Sequence, residues 1–137
     1  MTMNRETAGV DARLKLTLLW VFVALNMVYA DILSLMDPTS AIRARMVGTP
    51  ITPGLLLVGA VLMETVIIMV VLCWVLPYKV NRWVNIVVAA VNILAVATGG
   101  HGLYYAFFAT IEVVCMLLIV WFAWTWKPAT EPSTESQ

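Results

Sequence analysis

A chain of 137 residues that is 62% hydrophobic and only 12% charged cannot cover a water-facing surface, because a soluble domain carries roughly a quarter of its residues as Asp, Glu, Lys or Arg. Eight basic and eight acidic residues leave no net charge, so nothing points to nucleic acid, and no Lys/Arg cluster points to an electrostatic lipid patch. A single histidine beside carboxylates is too little for a metal site, and no cofactor or metal is expected.

In chain order, residues 1–13 form a cytoplasmic N-terminal segment, and the first apolar run, "LKLTLLWVFVALNMVYADILSLM", covers residues 14–36. Its length suits a bilayer-spanning helix, which needs about 17 to 25 predominantly apolar residues. The tripeptide "VYA" before Asp31 has the small-residue spacing of a signal-peptidase site. Against cleavage, the apolar run continues through "ILSLM" and completes a full span. The connection that follows, "DPTSAIRARMVGTPIT", holds two prolines and a short amphipathic piece, "SAIRARMV", suited to lying along the outer surface.

The second run, "PGLLLVGAVLMETVIIMVVLCWVL", covers residues 53–76, with Pro53 at the first helical position, where a missing N–H costs nothing. "PYKVNR" at 77–82 reads as a tight turn begun by Pro77. The third run, "WVNIVVAAVNILAVAT", reaches spanning length by borrowing flanking residues, giving a span of about 80–99. "GGH" then closes a tight antiparallel hairpin to the fourth run at 102–126. The tail, 127–137, is polar, contains proline and lacks an apolar face, so disorder is expected.

The fold class that follows is all-α, a four-transmembrane-helix antiparallel bundle. Arg5, Arg13, Lys15, Lys79, Arg82 and Lys127 fall on one side, and only Arg43 and Arg45 on the other. The positive-inside rule then puts both termini in the cytoplasm of a plasma-membrane protein. All six tryptophans fall near the cytoplasmic ends of the spans, as an interfacial belt would. Cys73 and Cys115 lie at depths about 10 Å apart, too far for a disulfide, and read as packing residues.

Three carboxyls stand inside the spans. Asp31 lies about 8 Å below the outer end of its span, Glu64 about 16 Å and Glu112 about 15 Å at 1.5 Å per residue. Asn26 and Asn92 fall at similar levels, with Ser34, Thr98, His101, Tyr104 and Tyr105 near the mouth. The cytoplasmic halves look more uniformly apolar. Such groups should face the bundle interior, since facing lipid leaves them unsatisfied, and a polar crevice open to the outside is the expected geometry. Each residue also has a plainer reading. Asn26, Asn85 and Asn92 suit interhelical hydrogen bonds. Glu64 and Glu112, at equal depth, could bond each other. His101 suits a solvated turn.

The stretches "LLWVFVALNMVYADILSLMDP", "TPGLLL" followed by "ME", "LPYKVNRWVNI" and "YYAFFATIEVVCMLLIVWFAWTW" occur in order from Leu14 to Trp126. Together they resemble a family of small four-span bacterial integral membrane proteins classed as a domain of unknown function. The resemblance implies the four-helix architecture and draws interest to Tyr29, Asp31, Glu64, Arg82, Trp83, Tyr105 and Glu112, without bringing an activity, substrate or cofactor. In outline alone the layout is also similar to DoxX-like proteins, a likeness of fold that carries no function.

Three functions are open to such a chain. The first binds or moves a small polar, cationic or lipid-like ligand in the outward crevice, with Asp31, Glu64, Glu112, Asn26, Tyr29, Asn92, Tyr105 and His101 as candidate contacts. The second is an accessory or assembly subunit whose polar residues pair with each other, a second copy or a membrane partner. The third and weakest is an enzyme using paired carboxyls on a lipid-soluble substrate. No nucleophile–base pair or phosphate loop supports it.

Overall fold

The computed structural model describes residues 3–48, 52–98 and 102–126. Five helices occur in order: α1 (Met3–Met36), α2 (Ala41–Gly48), α3 (Pro53–Val75), α4 (Tyr78–Ala97) and α5 (Leu103–Thr125). No strand is present among the described residues. All but α2 are long and apolar enough to cross a membrane, so the protein is an all-α, multi-pass membrane protein. Helix α1 packs on α3 and α5, and α4 packs on α5 and touches α3. The ring order is therefore α1, α3, α4, α5, with α1 and α4 on one diagonal and α3 and α5 on the other.

Helix boundaries follow from local chemistry. Thr52 caps α3, accepting from the Leu55 N–H, and Pro53 opens its first turn. Pro77 has φ −63° and ψ 153°, and its carbonyl takes the Asn81 N–H at 2.9 Å to start α4. Residues 78–82 are thus helical, not the turn expected of "PYKVNR". Their polarity belongs to a helix end near the membrane surface. Gly102, at φ 133°, precedes α5 in a conformation that side chains resist. Helix α1 likewise begins well before the apolar run, at Met3. Tertiary contact meets it at the end of its third turn: the Arg13 guanidinium donates to the carbonyls of Cys73 (3.0 Å), Trp74 (2.7 Å) and Leu76 (3.1 Å). These are the last acceptors of α3, left open at any helix C-terminus and favoured by a cation. Arg43 does the same for α1, donating to the Met36 carbonyl at 3.1 Å.

The short α1–α2 connection is a hydrogen-bonded turn. Asp37 accepts from the Thr39 hydroxyl at 2.7 Å and its N–H at 2.8 Å, which hold its carboxyl below the usual carboxylate range. This turn is firm above about pH 4 and loosens as pH falls through the lowered pKa. Ser40 donates to the Ser34 carbonyl and caps α2 by accepting from the Arg43 N–H at 3.1 Å.

Packing is uneven along the membrane normal. The fully buried apolar residues Leu16, Trp20, Val23, Val66, Met69, Ala89, Met116, Ile119 and Ala123 cluster in the half where α1 and α5 carry Arg13 and Trp126. That half also holds a polar network, which corrects the expectation that the half bearing the termini is the more uniformly apolar one. Trp20, 0% exposed, donates its indole N–H to Asn85 Oδ1 at 2.6 Å. Asn85 in turn donates to Asn81 Oδ1 at 2.6 Å, and Asn81 donates to the Cys73 carbonyl at 2.7 Å. Trp20 therefore belongs to the core rather than to an interfacial belt, whereas Trp74, Trp83, Trp121 and Trp124 are exposed. Both cysteines are free and buried. At the opposite end α3 leaves the bundle: all ten residues from Thr52 to Val61 are exposed.

The Arg13 clasp gives a direct expectation. Arg13→Met should destabilise the protein by about 1.5 to 3 kcal/mol, the range for hydrogen bonds to a charged group. Arg13→Lys should recover only a minor part, because one ammonium cannot span three carbonyls. Melting in detergent measures both; a lysine variant as stable as wild type would show that only the charge matters.

Candidate functional site

The polar residues of the half away from Arg13 divide into three sets according to the helix face that carries each. The first lies between α1 and α5. Asn26 Nδ2 donates to Glu112 Oε1 at 2.9 Å and to the Phe108 carbonyl at 3.3 Å. Glu112 is 5% exposed and heads the buried stripe of α5 that continues through Cys115, Met116, Ile119 and Ala123. Tyr29 packs edge-on against Phe108, with ring centroids 5.7 Å apart. Asp31, five residues after Asn26 and about 140° round the helix, is exposed. It makes no hydrogen bond or ion pair with the described residues. Above this set, the Tyr104 hydroxyl donates to Ser34 Oγ at 3.2 Å, tying α5 to α1 near the mouth.

The second set joins α4 to its neighbours. Asn92, 1% exposed, donates to Thr65 Oγ1 at 3.3 Å and to the Val88 carbonyl at 2.9 Å, while its Oδ1 is buried without a protein partner. Asn81, Asn85, Ala89, Asn92 and Val96 form the buried stripe of α4, the face that Asn85 and Asn92 were expected to share. Tyr105 donates to the Val96 carbonyl at 2.6 Å. It also lines a shallow, mostly apolar groove between α4 and α5 with Ala106, Ala109 and Val113.

Glu64 stands alone. It is exposed, and it projects from the face of α3 opposite the buried Val66, Met69 and Cys73. The expectation that every carboxyl faces the interior fails here and at exposed Asp31, leaving Glu112 as the buried one, and a Glu64–Glu112 hydrogen bond fails as well. Helices α3 and α5 are diagonal in the ring, and Glu64 points out of it. His101 falls outside the described residues.

The structure thus brings together Asn26, Tyr29, Asp31 and Glu112, places Asn92 and Tyr105 on neighbouring contacts of α4, and separates Glu64. Sequence reading passed over Phe108, whose backbone and ring complete the first set. It also underweighted Ser34 and Tyr104, which were visible only as polar residues near the mouth. No group of three or more His, Cys, Asp or Glu able to hold a metal ion occurs among the described residues.

The Asn26–Glu112 pair can be tested by a double-mutant cycle. Asn26→Leu should lower stability by about 0.6 to 1.7 kcal/mol, the range for hydrogen bonds between membrane helices. Adding Glu112→Leu should restore part of the loss, because both polar partners are then gone. Strictly additive losses would show that the pair is uncoupled.

Nothing among the curated proteins or the solved structures matches the chain. A family match does extend over residues 7–133, nearly the whole chain: it belongs to the family of unknown function DUF6326.

Proposed function

We infer that this protein lies in the inner membrane with both termini in the cytoplasm, and binds or moves a small cationic ligand from the outer side. The observation that supports this is the pairing of two acids without a base. Asp31 on α1 and Glu112 on α5 stand on helices packed against each other, and neither forms an ion pair with the described residues. Two carboxylates in a low-dielectric site disfavour each other's charge, and a cation between them removes that penalty. Glu112 is oriented from behind by Asn26, while exposed Asp31 is the group a ligand meets first. Tyr29 and Phe108 pack against each other on the same two helices, and an organic cation is attracted to aromatic rings. Of the ligand classes the composition allows, a small organic ammonium fits this set best.

Melting of the purified protein in detergent, with and without tetraethylammonium or sodium, tests the reading. A ligand at about a hundredfold excess over its Kd stabilises by about 2.7 kcal/mol, a rise of several degrees for a chain of this size. Asp31→Asn should abolish that rise while raising the melting point of the ligand-free protein, since the uncompensated charge is held at a cost. No cation-dependent rise in wild type, or an undiminished rise in both Asp31→Asn and Glu112→Gln, would exclude this site.

A further inference from the structure

Glu64 is the central residue of α3, about 16 Å from either end at 1.5 Å per residue, and it is exposed on the side turned away from the bundle. An exposed apolar face is ordinary for a membrane helix, and by itself the outer surface of α3 would call for no partner. A mid-span carboxyl on that face is different. It is too deep for its short side chain to reach headgroups, and it makes no hydrogen bond or ion pair with the described residues. In hydrocarbon, such a group needs a partner from another molecule.

The residues around it define what that partner is. Leu57, Ala60, Glu64, Ile67, Val71 and Trp74 are all exposed. Their spacing alternates three and four throughout, which is the a/d seam of a left-handed helix pair. Glu64 occupies one of the central a positions, where a lone polar residue sets register and copy number. Two copies of this chain share one orientation in the membrane, so a two-fold axis along the normal makes their α3 helices parallel and brings each a residue against its own counterpart. A carboxylic acid is its own complement there: the O–H of one donates to the carbonyl oxygen of the other.

We propose that the outward face of α3 is a homodimer interface in which Glu64 hydrogen-bonds to Glu64 of a second copy at mid-membrane. This goes beyond the ligand reading and does not depend on it, because Glu64 and the Asp31–Glu112 set lie on different faces of the bundle.

Cysteine cross-linking in native membranes tests it, with copper–phenanthroline as the oxidant. Both native cysteines are buried and provide a silent background. Ala60→Cys and Val71→Cys should each give a disulfide-linked band of twice the monomer mass, whereas Leu117→Cys, exposed on α5, should give at least fivefold less. Adding Glu64→Leu to the Ala60→Cys protein should cut the band at least fivefold. Glu64→Gln should keep it, because a side-chain amide also pairs with itself. A monodisperse elution profile in detergent confirms that each variant is folded. Equal cross-linking at Leu117, a product of another mass, no product, or an unchanged band with Glu64→Leu would each overturn the proposal.

Discussion

The indole N–H of Trp20 crosses the diagonal of the bundle to Asn85, and the other helix contacts are arranged around that bond. Helices α1 and α4 are not neighbours in the ring, so this one hydrogen bond fixes their relative depth and rotation together. In hydrocarbon no water competes for the donor, and the buried indole must find its acceptor in protein or go without. Asn85 is held ready by Asn81, and Asn81 by the end of α3. The same carbonyl of Cys73 is taken by Arg13 of α1. The chain of bonds therefore passes from α1 through α4 to α3 and back to α1, and each helix end is set by the others.

Against that locked half, the outer half is built differently. Its polar contacts are pairwise rather than continuous: Asn26 with Glu112, Tyr104 with Ser34, Asn92 with Thr65. Two polar groups, the amide oxygen of Asn92 and the carboxylate of Asp31, have no hydrogen-bond donor from the described residues. Polar cross-links are thereby continuous at one end of the bundle and pairwise at the other.

How much of this was legible in the sequence depends on which coordinate is asked about. Depth was readable. Apolar runs marked four spans, and counting residues put Glu64 and Glu112 at one level. Azimuth was readable only where polar residues repeat on one face. Helix α4 shows such a repeat, and the shared face of Asn85 and Asn92 followed from it. Helix α3 is apolar on every side, so nothing in "LLLVGAVLMETVIIMVV" distinguishes the packed face from the lipid face. The direction of Glu64 was decided by packing alone. Trp20 was misread for a related reason: its place along the chain suits an interface, but its rotation about α1 turns it into the core. The polar turn expected at 78–82 failed because charged and amide residues at a helix end look like a loop until Pro77 is seen to start a helix.

The length of α1 has one more consequence. At 34 residues it is roughly 51 Å long, while α3 and α4, at 23 and 20 residues, are roughly 35 and 30 Å. The contact between Arg13 and the last carbonyls of α3 marks where the two helices come level, so about three turns of α1 stand beyond the rest of the bundle. A bilayer of uniform thickness cannot hide that excess by tilting one helix, because α1 is clasped to its neighbour. The projecting stub is an uninterrupted helical extension of the first span, roughly 15 Å long, that carries the chain away from the bundle along the axis of α1.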